Sequence, residues 1–276
     1  VPPPPIPPTV LSPLAAAAAA GLDALLIGKA PGANRNLFNA DGSRNSACWA
    51  AGLDLTGKKK GRYPGVVVTP SNFVAARHVG VGDALWVTAD GTEVRPTVVG
   101  VTAIPSPTNI PFLSDVAVYR VDPPFPASIA PFRIYHDPGA RRWSIDNGVV
   151  FVGTLVVDQN DDAWVMDAAP PGGNGFSVPS PYEIRTWRSR DGDWGKHLQP
   201  PDLPDGLTFG DSGSPGFLLI DGVLCLDYHA NGGTSGPSYS WFYELICDAI
   251  DSLNGHALGP YPATADLSAY PLVNPA

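Results

Sequence analysis

Phe209-Gly210-Asp211-Ser212-Gly213-Ser214-Pro215 holds a serine hydroxyl between residues that need no bulk. A serine is a poor nucleophile until a base takes its proton and donors wait for the oxyanion. Gly210 and Gly213 permit a tight turn with unusual φ and close approach of a substrate backbone. Such a turn can aim the amides of Gly210 and Ser212 at one point. Asp211 is an acid beside the turn that needs a partner. The same residue types also build ordinary surface loops, so the reading depends on the rest of the chain.

Two upstream segments supply what the serine lacks. Val66-Val67-Val68-Thr69-Pro70-Ser71-Asn72-Phe73-Val74-Ala75-Ala76-Arg77-His78-Val79 reads as a β-branched run, a turn, and a small-residue strand end that delivers His78. Pro111-Phe112-Leu113-Ser114-Asp115-Val116-Ala117-Val118-Tyr119-Arg120-Val121 puts Asp115 at the head of an alternating apolar strand. Histidine, aspartate and serine follow in that order, one of the chain orders in which this triad occurs. The remaining histidines, His136, His197, His229 and His256, lie in Asp-, Gly- or Pro-rich surroundings that read as loops or strand ends.

On these residues the chain resembles the trypsin-like (chymotrypsin-fold) serine proteases, in the manner of a bacterial or phage-type member. Ala75-Ala76-Arg77-His78 is similar to that family's Ala-Ala-His-Cys element, and Ser114-Asp115-Val116-Ala117-Val118 to its Asp-Ile-Ala-Leu element. Gly210-Asp211-Ser212-Gly213-Ser214-Pro215 is similar to its Gly-Asp-Ser-Gly-Gly-Pro. The resemblance spans roughly residues 60 to 253. It implies a serine endopeptidase in which Ser212 attacks the carbonyl, His78 carries the proton and Asp115 fixes the His78 tautomer, with the Gly210 and Ser212 amides as oxyanion hole. It also implies a substrate pocket with Gly206 at its base, where an uncharged slot selects apolar or small side chains. The competing reading is a one-residue bulge that swings Asp205 into the pocket and selects Arg or Lys. Phe209 adjoins that slot, and Asp227-Tyr228-His229 align with the family's Ser-Trp-Gly substrate strand if no gap intervenes. In that register Asp227 would stand where a serine supports Asp115 and would crowd two carboxylates near His78.

The chain also departs from the family. Val79 stands where animal members carry a disulfide cysteine. Val1-Pro2-Pro3 does not resemble the Ile-Val-Gly-Gly that pairs with the acid beside the nucleophile, so Asp211 is expected to have an internal partner. The chain begins at Val1 and its one methionine is Met166, which suggests a processed form.

Composition points to an all-β fold. Thirty glycines and 32 prolines in 276 residues punctuate many short strands without reaching the level of general disorder. Strand-like runs fall at 65–69, 84–89, 93–101, 116–121, 148–157, 163–167, 183–188, 216–220 and 223–228. The resemblance implies two packed six-stranded antiparallel β-barrels, about 61–135 and about 145–240, followed by a C-terminal helix over 241–253. Before them lies a Pro/Ala-rich N-terminal extension, 1–60, whose Val1–Pro8 run suits an extended polyproline arm and whose 14–26 stretch suits a helix. After them lies a tail, 254–276.

A net charge of −9 with only 17 basic residues argues against nucleic acid as a partner, since a phosphate-binding face needs clustered Lys and Arg. Lys58-Lys59-Lys60-Gly61-Arg62 reads as a solvated loop. No stretch of about 18 apolar residues suggests a membrane span. Neither His-Glu-x-x-His nor paired-cysteine spacing occurs, so neither metal nor cofactor is expected. Cys48, Cys225 and Cys247 are an odd number, and whether Cys225 and Cys247 pair is open. The expected partner is a peptide or protein substrate in a secreted setting. The alternative is a filament or shell subunit that keeps a protease fold and self-associates through its Pro-rich arm.

Overall fold

The Val66-Val67-Val68 run forms a strand because β-branched side chains fit a pleated surface, and here both of its faces are covered. The computed structural model describes residues 11–27, 29, 34–105, 115–138, 142, 152–169, 183–189, 212–230, 235–255 and 259–273. In chain order these form α1 (Pro13–Leu26), β1 (Gly65–Thr69), β2 (Asn72–Ala76), β3 (Trp86–Val87), β4 (Glu93–Val94), β5 (Thr97–Ala103) and β6 (Val116–Asp122). Next come β7 (Arg133–Ile134), β8 (Val152–Val157), β9 (Ala163–Ala169), β10 (Glu183–Ser189), β11 (Pro215–Ile220), β12 (Val223–His229), β13 (Ser235–Pro237) and α2 (Tyr239–Leu253). The chain is thus mostly β with few helices, as its composition suggests.

Four strands make one sheet in the order β1-β2-β6-β5, and seven make another in the order β13-β10-β9-β8-β11-β12-β7. A third, two-stranded sheet pairs β3 with β4. In the first sheet the side chains alternate between two apolar clusters, as the two-residue period of a strand dictates. Val67, Phe73, Ala75, Ala117 and Tyr119 enter an aromatic cluster with Trp86 and Phe125. There Phe73 stacks on Tyr119 at 4.8 Å between ring centroids and meets Trp86 edge-on at 5.1 Å. Val66, Val68, Val74, Val116 and Val118 point the other way. They join Leu155, Val157, Phe217, Leu219 and Leu226 of the second sheet in the largest cluster. That shared cluster packs the two sheets together.

Both helices lie where their residue spacing predicts. Pro13 opens α1, the Ser12 hydroxyl accepts from the Ala15 amide at 3.1 Å, and an alanine run follows. Leu14, Ala15 and Ala18 are buried with Tyr135, Leu218 and Ile220, so α1 covers the second sheet. In α2 the stripe Phe242, Ile246, Ala249 and Ile250 faces the shared cluster. Arg120 donates to the Leu253 carbonyl at 2.8 Å and so satisfies an orphan group at the helix end. Gly255 follows with φ +74°, a stop only glycine takes without strain.

The described residues of the N-terminal segment and of the tail pack into the same body. Trp49 donates to the Ala163 carbonyl at 2.9 Å, and Asn36 bridges to Asp162. Thr264 bridges to Ile134, and Leu267 is buried beside α1. The lysine run corrects the expectation of a solvated loop: Lys58 and Lys59 are each only 2% exposed. Lys58 forms a buried ion pair with Asp161, which also accepts from the Gly61 amide at 3.0 Å. The Lys59 ammonium donates to the Arg62 carbonyl at 2.7 Å. Burial, then the Lys58 charge, pushes Lys59 down to about 8. A buried lysine stays where carboxylate and carbonyl oxygens replace its water. All three cysteines are free and buried, so Cys225 and Cys247 do not pair.

Candidate active site

β2 ends at Ala76 opposite Val116, the first residue of β6, and that register puts Arg77 against Asp115. The Arg77 amide donates to the Asp115 carbonyl at 3.0 Å. The next residue, His78, is then gripped twice. Its amide donates to Asp115 Oδ1 at 2.8 Å, and its Nδ1 meets Oδ2. An ionised carboxylate only accepts, so Nδ1 carries the proton and the lone pair of a neutral ring lies on Nε2. Asp115 is buried, whereas the His78 side chain is 45% exposed. The acid is therefore held inside the sheet and the base opens outward.

Ser212 arrives from the other sheet. It is half-buried in the turn that leads into β11. Gly213 has φ +92°, and a Cβ there would stand 3.4 Å from Ala76 Cβ and 3.3 Å from the Pro64 carbonyl oxygen. Glycine therefore lets this turn settle against the end of β2, two residues before His78. The turn is fixed from behind: the Gly213 amide donates to the Ala230 carbonyl at 2.7 Å, and the Ala230 amide returns a bond to Ser214 at 2.8 Å. Among the described residues no hydrogen bond joins Ser212 to His78.

Of the residues expected from sequence, the fold thus brings His78 against Asp115 and seats the Ser212 turn beside them. Gly206, Phe209, Gly210 and Asp211 lie outside the described residues. Asp227, Tyr228 and His229 are all buried. Gly216 pairs with Tyr228 and Phe217 with Leu226, so Asp227 is the extra residue of a β-bulge. Tyr228 lies over Gly216, where a Cβ would overlap its ring, and shares a hydrogen bond of 3.1 Å with the Thr154 hydroxyl. Burial alone pushes the Asp227 carboxyl up to about 8. Its charge acts on Tyr135 and Cys225, and neither Asp115 nor His78 is among the groups that shift it.

His229, not Asp227, is the residue of this strand that feels the His78–Asp115 pair. Its Nδ1 lies 2.7 Å from the Tyr239 hydroxyl. Burial pushes its ring down to about 4, the Asp115 charge opposes that shift, and the His78 ring adds to it. Tyr239 is likewise pushed up by burial and by Asp115. Sequence reading missed Tyr239, which sits ten positions after His229 at the start of α2. No spacing rule links those positions.

A depression lined by Leu37, Arg44, Asn45, Leu53, Asp54 and Thr56 lies in the N-terminal segment, apart from these residues. Among the described residues no cluster of three or more His, Cys, Asp or Glu could hold a metal ion. Nor is any described helix long and apolar enough to cross a membrane. Comparison of the chain with models of known families finds no match, and comparison with curated proteins finds none either.

Proposed function

We propose that the chain is a serine endopeptidase of the trypsin-like kind. The observation that carries this reading is the double hold of Asp115 on His78 beside the seat of the Gly213 turn on Ala76. Ser212 Oγ attacks the scissile carbonyl carbon while its proton passes to His78 Nε2. The carbonyl oxygen takes up the electron pair as an oxyanion and is met by the Gly210 and Ser212 amides. Collapse of this intermediate breaks the C–N bond, and the Nε2 proton leaves with the amine. Water then attacks the acyl-enzyme by the same route, its proton going to Nε2 and back to Ser212. Asp115 holds the ring through Nδ1 and balances the imidazolium charge in each half.

The same proposal includes the two-barrel architecture. It is supported by an apolar cluster on the outer side of each sheet and a shared one between them. Gly206 at the base of an uncharged pocket gives cleavage after apolar or small residues.

A peptide-library digest tests the proposal. We expect cuts after apolar or small residues, at a rate that climbs from acid toward neutral pH and then levels, as a histidine base requires. Ser212→Ala should lower that rate by several orders of magnitude. Undiminished cleavage by Ser212→Ala removes the protease reading. Cleavage confined to Arg and Lys removes the uncharged pocket.

A further inference from the structure

We propose that Lys59 is a positioning residue for the nucleophile: its buried ammonium pins the 60–64 turn from within, and that turn is one wall of the seat in which the Ser212 turn rests. The inference takes its catalytic meaning from the hydrolase reading, but not its geometry. The Gly213 seat has two walls. One is the end of β2, where a Cβ on Gly213 would stand 3.4 Å from Ala76 Cβ. The other is Pro64, whose carbonyl oxygen would lie 3.3 Å and whose Cδ 3.6 Å from that same Cβ. β2 is held on both sides by its sheet partners, β1 and β6. Pro64 ends a connection that lies outside the sheet, so its place depends on what holds that connection.

The connection is closed at its base, since the Lys59 amide donates to the Gly65 carbonyl at 2.8 Å. Its first half is fixed from outside: the Lys60 amide donates to the Leu85 carbonyl at 2.8 Å and the Gly61 amide to Asp161 at 3.0 Å. Its second half is fixed from inside by the Lys59 ammonium, which donates to the Arg62 carbonyl at 2.7 Å and to the Lys60 carbonyl at 3.5 Å. The residue after Arg62, Tyr63, has φ +56°, a left-handed conformation that an aromatic residue keeps only where its surroundings enforce it. Its ring lies against Gly82, where a Cβ would stand 3.2 Å away. Lys58 takes the Asp161 carboxylate, so the Lys59 charge, 2% exposed, rests on carbonyl oxygens. A methionine would fill the same space without desolvating a cation. What the ammonium adds is a directed, charge-assisted hold on one carbonyl. The charges acting on it are Lys58 of its own segment, Asp161 from the β8–β9 turn and Asp83 from the segment before β3. With a value of about 8 it still carries its proton at neutral pH. Lys59 thus acts on Ser212 through Arg62, Tyr63 and Pro64 and touches no substrate.

The test uses the full chain as wild type, Lys59→Met and Lys60→Met. Lys60 is the control, because its ammonium lies over the Phe38 ring, 4.5 Å from the centroid. Amide hydrogen exchange by NMR and peptide cleavage are both followed at pH 7. The Gly213 amide, bonded to the Ala230 carbonyl, reports the seating of the turn directly. In Lys59→Met we expect its protection to fall about tenfold or more while the amides paired between β8 and β9 keep theirs, a local opening rather than a global loss. In an active wild type, kcat should fall about ten- to a hundredfold with KM unchanged, the effect of a displaced nucleophile. Lys60→Met should match the wild type in both readouts. If Lys59→Met does not fold, Lys59→Gln, whose neutral amide lacks the charge, carries the test with the same expected direction. Unchanged Gly213 protection overturns the proposal, as does a loss shared equally by β8 and β9 or by Lys60→Met. An inactive wild type would sink the hydrolase reading, yet the Gly213 exchange would still decide whether Lys59 seats the turn.

Discussion

Asp227 is folded away from water at the β12 bulge, and its Oδ1 completes no hydrogen bond. An isolated carboxylate there would be expensive, so the group keeps its proton up to about pH 8, against an ordinary value of 3.8. The raised folded value sets the sign of the linkage. This group's contribution to stability is fully present below about pH 4 and is lost as pH rises through about 8. Asp227→Asn is neutral throughout, so it should gain on the wild type between pH 4 and 9. Urea denaturation of both proteins at pH 4, 7 and 9 measures that gain. A stability difference constant across the series would mean that the Asp227 carboxyl titrates normally. The bulge also explains why an ungapped alignment misplaces this residue. One extra position in β12 shifts the alternation of the side chains that follow it, Tyr228 and His229.

At the scale of elements, α1 shows how an N-terminal extension becomes part of the core. Leu22 is 2% exposed and joins the cluster between the sheets. Leu22→Ala should therefore cost about 2–5 kcal/mol, measured by the shift of the denaturation midpoint in the isolated chain. If α1 were instead an arm reserved for neighbouring subunits, the substitution would leave the isolated chain unchanged.

Much at this scale was legible in the sequence. β1 coincides with the 65–69 run, and β11, β12, α1 and α2 lie within a residue or two of their periodic patterns. β7 and β13 could not be read, because two or three residues carry no periodicity and β7 is made by long-range pairing, in parallel with β12 and with Thr264 of the tail. The lysine run was misread because composition shows charge but not the buried Asp161, about a hundred residues away, that accepts it. In the site, His78 and Asp115 were readable from short local motifs. The His229–Tyr239 pair was not, because it joins the end of β12 to the start of α2, two elements with no shared periodicity.

At the scale of the molecule, the two sheets have separate parts in the account. The first carries His78 and Asp115 at the adjoining ends of β2 and β6, and the second brings the Ser212 turn and, at the end of β12, His229. The large cluster between the sheets fixes these parts relative to one another. The segments at 11–27 and 259–273 pack on the same body, while the Pro-rich run 1–8 expected to form an arm lies outside the described residues. The central claim is that Ser212 is an activated nucleophile. A fluorophosphonate probe tests it most directly, since the reagent reacts with a serine only where a base takes its proton and donors receive the oxyanion. The wild type should form a single adduct that peptide mass spectrometry maps to Ser212, and labelling should be lost in both Ser212→Ala and His78→Ala. A folded wild type that stays unlabelled, or an adduct on any other residue, would contradict the account and favour a structural or binding subunit.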